Sequence, residues 1–281
     1  MLWVIRNAQP VFTVSRSIMK NILKKTLCII VILAVIVGLF NLFYLQPRHV
    51  VPILMYHSIN YKKDNTLSVK PENFARQMGF LNKHRYKVIS LDELVEGIKK
   101  EKKFSGKTVV VTFDDGFSDN YTYAFPVLAK YNMPATIFLM TGYIGKKKEY
   151  LNWDQVRHMD KSGIDFGGHT RSNVYLPGVE GSGDLWDEIS GSKFDIEKEL
   201  GKNVNYFCYP TGGFNETIKE IVKEAGYKGA CTTNRGFDKS NKDVYELNRI
   251  KVTNSDTTKP FHFRAKLSGY YNLFRSCRSG E

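Results

Sequence analysis

The sequence predicts an α/β protein: a parallel sheet closed, or nearly closed, into a barrel, preceded by one membrane-crossing helix. Three observations carry that expectation. Strand-like and helix-like runs alternate from Val51 to Val252 without an internal break, the order that builds parallel sheets. His57, Asp114-Asp115, His169 and Tyr209-Pro210-Thr211-Gly212 all fall where strand-like runs end, and barrels gather their chemistry at the carboxyl ends of strands. Ahead of them, Thr26 to Gln46 carries no charge, and Leu27 to Leu45 is almost continuously apolar.

That apolar run has about the twenty residues a helix needs to cross a bilayer. Arg6, Arg16, Lys20, Lys24 and Lys25 precede it with no acid among them, which places the N-terminus in the cytosol and everything after Arg48 outside. A cleaved signal peptide is the alternative; its apolar core is usually shorter, and no small-x-small cleavage site follows here. The expected organisation is a basic tail at 1–25, a signal anchor at 26–46, an α/β domain at 50–255 and an extension at 256–281. The expected location is the cell membrane, single-pass, with the α/β domain extracytoplasmic.

The elements then follow in order. Val51 to Tyr56 reads as a first strand ending at His57. An amphipathic helix from Asn73 to His84 opens near Lys70-Pro71-Glu72, and a short strand runs from Tyr86 to Ile89. Ser90 caps a helix over Leu91 to Lys100. Thr108 to Phe113 is a buried strand of β-branched residues that stops at two adjacent carboxylates and a glycine. Two neighbouring acids repel each other and are costly to desolvate, so the pair suits a cation or a base; the same residues also fit an Asp-Gly turn that caps a helix. Helices over Asn120 to Tyr131, Trp153 to Lys161, Leu185 to Leu200 and Thr217 to Ala225 alternate with strands over Ala135 to Met140, Asp165 to Gly168, Asn205 to Tyr209 and Gly229 to Thr232. Tyr245 to Val252 reads as the last strand.

With 281 residues, 42% hydrophobic and 13% aromatic, the chain can bury a substantial core. Its net charge of +13 is spread thinly over lysine-rich loops such as Lys146-Lys147-Lys148, which suit solvent or an anionic envelope surface. No nucleic-acid motif accompanies that charge, so nucleic acid is not an expected partner. Cys28, Cys208, Cys231 and Cys277 do not form a disulfide framework, although a bridge between neighbouring strands at Cys208 and Cys231 stays open.

A second candidate site is Gly167-Gly168-His169-Thr170-Arg171-Ser172-Asn173, whose glycines permit close backbone approach and whose histidine suits a zinc ligand. TFDDG, then about fifty residues, then His169-Thr170, resembles the NodB-homology polysaccharide deacetylases of carbohydrate esterase family 4. Met55-Tyr56-His57, Phe207 to Gly213 and Leu247-Asn248-Arg249-Ile250 extend the likeness over residues 50 to 255. The MYH and YP-x-G segments resemble the branch that acts on poly-N-acetylglucosamine. The resemblance implies a distorted (β/α) barrel and a hydrolase that removes N-acetyl groups from an envelope or extracellular amino-sugar polysaccharide. It implies a divalent metal, zinc first with cobalt, nickel or manganese as alternatives, held by Asp115, His169 and the residue at 173. Asp114 becomes the general base for the attacking water, His57 the acid for the departing amine, and Thr211 the backbone donor to the oxyanion. Arg249 orients Asp114 and lowers its pKa. Tyr209, Pro210 and Gly212 are assigned to the substrate, with Tyr175 as a second ring able to stack on a pyranose.

One position departs from the family pattern. Asn173 stands where a second metal-binding histidine belongs, and an amide oxygen is the weaker zinc ligand. Either Asn173 ligates with water completing the shell, or His158 or Ser172 substitutes, or the domain has lost its metal and binds carbohydrate without catalysis. A sugar O-acetyl esterase is the other alternative. Trp153-Asp154 reads either as a packed, capped helix start or as a sugar contact, and His84, His158 and His262 as surface or structural residues.

Overall fold

The computed structural model describes residues 16–45, 49–61, 67–233 and 236–274. Expectations on Arg6, Gln46, Cys277 and the end of the C-terminal extension lie outside the described residues. The chain divides into two units, Met1–Arg48 and His49–Glu281. In the first, helix α1 (Arg16–Phe40) runs into a π turn at Asn41–Leu45. Its stretch Met19–Tyr44, 26 residues with a mean hydropathy of 2.8, is long and apolar enough to cross a membrane.

The second unit is the barrel. Its strands are β1 (Ile53–Tyr56), β2 (Ser58–Ile59), β3 (Ser68–Val69), β4 (Lys87–Ile89), β5 (Thr108–Phe113), β6 (Ala135–Leu139), β7 (Ile164–Gly168), β8 (Tyr206–Cys208), β9 (Gly229–Cys231) and β10 (Ile250–Lys251). All strand pairs are parallel, in the order β10-β1-β5-β6-β7-β8-β9. Strand β4 pairs with the first half of β5 and β6 with its second half, a split that distorts the barrel. Closure comes from the segment around Arg249. Leu247 bridges to Cys231 of β9, the Arg249 N–H donates to the Thr233 carbonyl, and Ile250–Lys251 pairs with β1. This is the distorted (β/α) barrel that the alternating order and the motifs implied.

Among the described residues, eight α-helices follow in this unit: α2 (Pro71–Lys83), α3 (Leu91–Lys99), α4 (Phe125–Lys130), α5 (Trp153–Asp160), α6 (Ser182–Leu200), α7 (Glu216–Glu224), α8 (Ser255–Thr258) and α9 (Pro260–Lys266). Local chemistry sets their starts. Ser90 accepts the Glu93 N–H, Asn152 and Gln155 form a reciprocal capping box, and Asn215 accepts the Ile218 N–H.

Three local expectations need correction. The helix over 120–131 begins as a π turn at Asn120–Ala124, because Pro126 near the start of α4 cannot donate a helical hydrogen bond. The last strand is two residues long rather than eight. Its first half changes partner at the seam, and the Asn248 amide turns to bind the backbone of Gly236 and Asp238. The two-residue pair β2–β3 had no sequence signal. The extension is a covering element where described: Phe263 meets Phe80 of α2 edge-on, and Lys266 bonds both Asp256 and the Lys251 carbonyl at 2.7 Å.

Period-two alternation divides the core. Val109, Val111 and Phe113 pack outward under the helices, whereas Val110 joins Ile53, Phe138, Tyr206, Cys208 and Cys231 in the second, inner cluster. The same alternation turns Thr112 and Asp114 inward beneath the mouth of the barrel. Cys208 and Cys231 face each other across β8 and β9 and remain free thiols.

Candidate active site

Asp114 follows the last residue of β5, and Arg249 reaches it from the barrel seam. The guanidinium grips the carboxylate with two bonds, Nη1–Oδ1 at 2.6 Å and Nη2–Oδ2 at 2.7 Å. Arg249 is itself fixed by the Thr232 carbonyl at 2.9 Å and the Thr112 hydroxyl at 3.1 Å, and its side chain is wholly buried. Burial by itself raises the Asp114 pKa, but the charge and hydrogen bonds of Arg249 override it and hold the carboxyl well below the usual range. His57 Nε2 lies 3.7 Å from Asp114 Oδ2. Burial lowers the His57 pKa and outweighs the two aspartates that favour its cation, so the ring is neutral at pH 7.

Asp115 has a left-handed backbone (φ 72°) and leaves the strand direction altogether. Its Oδ1 lies 3.5 Å from His169 Nε2. His169 Nδ1 donates to the Cys208 carbonyl at 2.7 Å, which leaves Nε2 as the ring nitrogen that faces Asp115. The two glycines before His169 serve close approach, since a Cβ at Gly167 would strike the Phe138 ring and the Tyr206 carbonyl.

A tetrahedral zinc with bonds of about 2.0–2.1 Å has ligand–ligand edges of about 3.3 Å. The Asp115–His169 separation is close to that edge, and a carboxylate with an imidazole is a zinc donor set, so these residues fit the metal the family implies. The site also brings Asp114, His169 and Cys208 within 4.8 Å of one another. Asp114 has both oxygens bonded to Arg249, and the Cys208 thiol, which burial pushes up in pKa, accepts from Arg249 Nη2 at 3.0 Å. That trio is a poorer donor set than Asp115 with His169. Cys208 is the one member that sequence reading passed over; its inward register beside Tyr206 on β8 was the available signal.

The remaining positions are mixed. Asn173 is exposed on a left-handed turn (φ 61°), its N–H bonded to the Thr170 hydroxyl at 2.9 Å, and among the described residues its side-chain amide has no hydrogen-bond partner. The two proposed substitutes are engaged elsewhere: His158 bonds the Tyr121 hydroxyl at 2.8 Å and Ser172 bonds Glu188 at 2.6 Å. Thr211 is exposed in the turn Pro210–Gly212 with φ 54°. Tyr209 corrects an expectation. It is buried in the core, its hydroxyl donating to the Tyr245 carbonyl and its ring stacked on Phe214, so it does not face a sugar. Pro210 and Gly212 are buried as well and shape the turn that presents Thr211. Tyr175 is the exposed ring of the two, resting over Gly213.

Comparison with known proteins agrees with this geometry. A family model described as polysaccharide deacetylase matches residues 101–230. YxkH of Bacillus subtilis (strain 168), named for the same family, is 34% identical over 202 residues, spanning 72% of this chain and 71% of that one. A poly-beta-1,6-N-acetyl-D-glucosamine N-deacetylase of Staphylococcus aureus (strain N315) is 26% identical over 211 residues, 71% of this chain and 72% of that one. Among solved structures, the Streptococcus pyogenes deacetylase PplD in complex with acetate has a TM-score of 0.70 at 28% identity, covering 76% of this chain and 96% of that one.

Proposed function

The chain belongs to the polysaccharide deacetylase family, hydrolases that release acetyl groups, and from that premise we propose that it removes N-acetyl groups from an amino-sugar polysaccharide of the envelope or extracellular matrix with the help of a divalent metal. The observation that carries the reading is the juxtaposition of two differently equipped carboxylates: Asp114 locked on Arg249, and Asp115 facing the free nitrogen of His169. The staphylococcal relative supports the substrate class.

Asp115 and His169 would hold the metal, zinc first, with the Asn173 side chain as a weak third donor. A bound ion supplies Lewis-acid polarisation and a water of lowered pKa. Asp114 stays ionised at neutral pH and accepts the proton of the attacking water. Water adds to the acetamide carbonyl carbon, and the Thr211 N–H donates to the oxygen that becomes negative. Asp114 passes that proton to His57, 3.7 Å away, the carbon–nitrogen bond breaks as His57 delivers it to the departing amine, and acetate is released. The depressed pKa of Asp114 makes it a weak base, and the neutral His57 beside it favours a second reading in which the imidazole both collects and delivers the proton.

Residues 50–255 form the catalytic domain in this proposal, and the helical segment that carries Phe263 and Lys266 braces it. The basic residues before the apolar run support an N-terminus in the cytosol and a barrel outside.

Metal content and acetate release by the full-length chain in detergent test the reading. About one metal per chain and acetate from N-acetylglucosamine oligomers, both abolished in Asp115→Ala, are expected. Asn173→His should tighten the metal by about 10-fold or more, since imidazole replaces an amide. Acetate from O-acetylated sugars alone would make the chain an esterase. No metal and no acetate in the wild type would leave a carbohydrate-binding module.

A further inference from the structure

The turn that follows His169 is held from outside the site by one face of α6. Glu188 Oε2 accepts the backbone N–H groups of Arg171 at 2.8 Å and Ser172 at 3.0 Å, and Glu188 Oε1 accepts the Ser172 hydroxyl at 2.6 Å. The Arg171 guanidinium bonds Asp195 through Nε at 3.0 Å and Nη2 at 3.1 Å, and Asp187 through Nη1 at 2.5 Å. On the opposite side, Gly142 N–H donates to the Arg171 carbonyl at 2.8 Å and Thr141 N–H to the Thr170 carbonyl at 3.2 Å.

Asp187, Gly191 and Asp195 are spaced four apart and share one stripe of the helix. Gly191 sits between the two acids, where a glycine weakens a helix interior. Its place has a physical reason: a Cβ there would come within 2.5 Å of the Arg171 guanidinium carbon. The helix carries a notch, and the guanidinium lies in it with an acid at either end. Within the turn so held, Thr170 (φ 62°) and Asn173 (φ 61°) are both left-handed, a conformation that L side chains keep only where the surroundings impose it.

We propose that the Arg171–α6 clamp is a positioning device for the metal site, with Arg171, Glu188, Asp195 and the Gly191 notch as its parts. It holds the turn from His169 to Asn173 in one arrangement and so fixes where position 173 lies relative to His169. A chain whose third donor is a weak amide depends on that preorganisation more than one with a second histidine. The proposal rests on the metal reading above.

The test is zinc affinity of the full-length chain by chelator competition, together with the cobalt absorption spectrum, for wild type, Glu188→Ala and Gly191→Ala. Gly191→Ala fills the notch without touching a site residue or an acid. It is expected to melt at or above the wild-type temperature, because alanine favours the helix, while binding zinc about 10–100-fold more weakly with an altered cobalt spectrum, the range for residues that orient a metal ligand. Glu188→Ala should weaken zinc in the same range and lower kcat more than it raises KM. Wild-type zinc affinity and cobalt spectrum in both folded variants would overturn the clamp alone. If Glu188→Ala does not fold, Gly191→Ala decides by itself. A wild-type chain that binds no zinc overturns the metal reading, and the clamp with it.

Discussion

Asp114 and Asp115 are neighbours in the chain and opposites in surroundings. Asp114 points into the barrel, where Arg249 occupies both its oxygens and Thr112 and Cys208 complete the packing. Asp115 turns out of the strand and faces a histidine nitrogen across a gap of ligand–ligand size. One carboxylate is satisfied by a guanidinium, and the other is the one proposed above to ligate the metal. The difference teaches that a repelling acid pair at a strand mouth is tolerated by separating the partners, with a buried cation for one and a turn out of the strand for the other.

The widest separation between the two should appear in catalysis. Asp114→Asn is expected to lower kcat by about 10²–10⁴-fold, the range of a general base, while retaining metal. Asp115→Ala should lose the metal itself. Equal metal loss in the two variants would erase the contrast.

Next in size is stability. Arg249→Ala leaves a buried carboxylate unpaired, and urea unfolding should show a loss of about 3–5 kcal/mol. The sign with pH follows from the depressed Asp114 pKa. Its stabilisation is fully present above the unfolded carboxyl pKa of about 3.9 and is lost as pH falls through the much lower folded value. In Arg249→Ala burial acts on Asp114 without its partner and raises its pKa, so the variant takes up a proton before the wild type does, and the gap should narrow as pH falls through that raised value. A gap that did not narrow at all on acidification would contradict the pairing.

His57 provides a gentler test. Its folded pKa lies below the unfolded value of about 6.5, so its contribution is complete above that pH and declines as pH falls through the folded value. Urea midpoints of the wild type should fall between pH 7 and 5 by more than those of His57→Gln. Parallel profiles would mean that the imidazole is not held neutral. The smallest effect belongs to Tyr209→Phe, about 1 kcal/mol for one lost hydrogen bond, with KM unchanged because the ring does not face the sugar.

Much of this was legible in the residues themselves. The Val109–Phe113 run could only be a buried strand, and Ser90 and Pro71 marked helix starts that the fold keeps. The Asp114-Asp115 pair, His57 and His169 were legible as chemistry because each ends an apolar run. Other features had no local signal. The two-residue strands β2 and β3 are too short to show a period, and Tyr209 reads the same in sequence whether it faces a sugar or the core. The Gly191 notch is meaningless until Arg171, twenty residues earlier, is laid across it.

What the sequence determined by itself was the alternation of elements, the apolar N-terminal helix and the identity of the chemical groups, because periodicity, capping and side-chain type are local properties. Only the tertiary structure decided which groups meet. Arg249 finds Asp114, Cys208 sets the tautomer of His169, and α6 grips the turn that bears Asn173 because barrel closure brings strands from distant parts of the chain to one mouth. Whether a carboxylate is paired, and whether a histidine is neutral, depends on the burial and charge of those long-range neighbours.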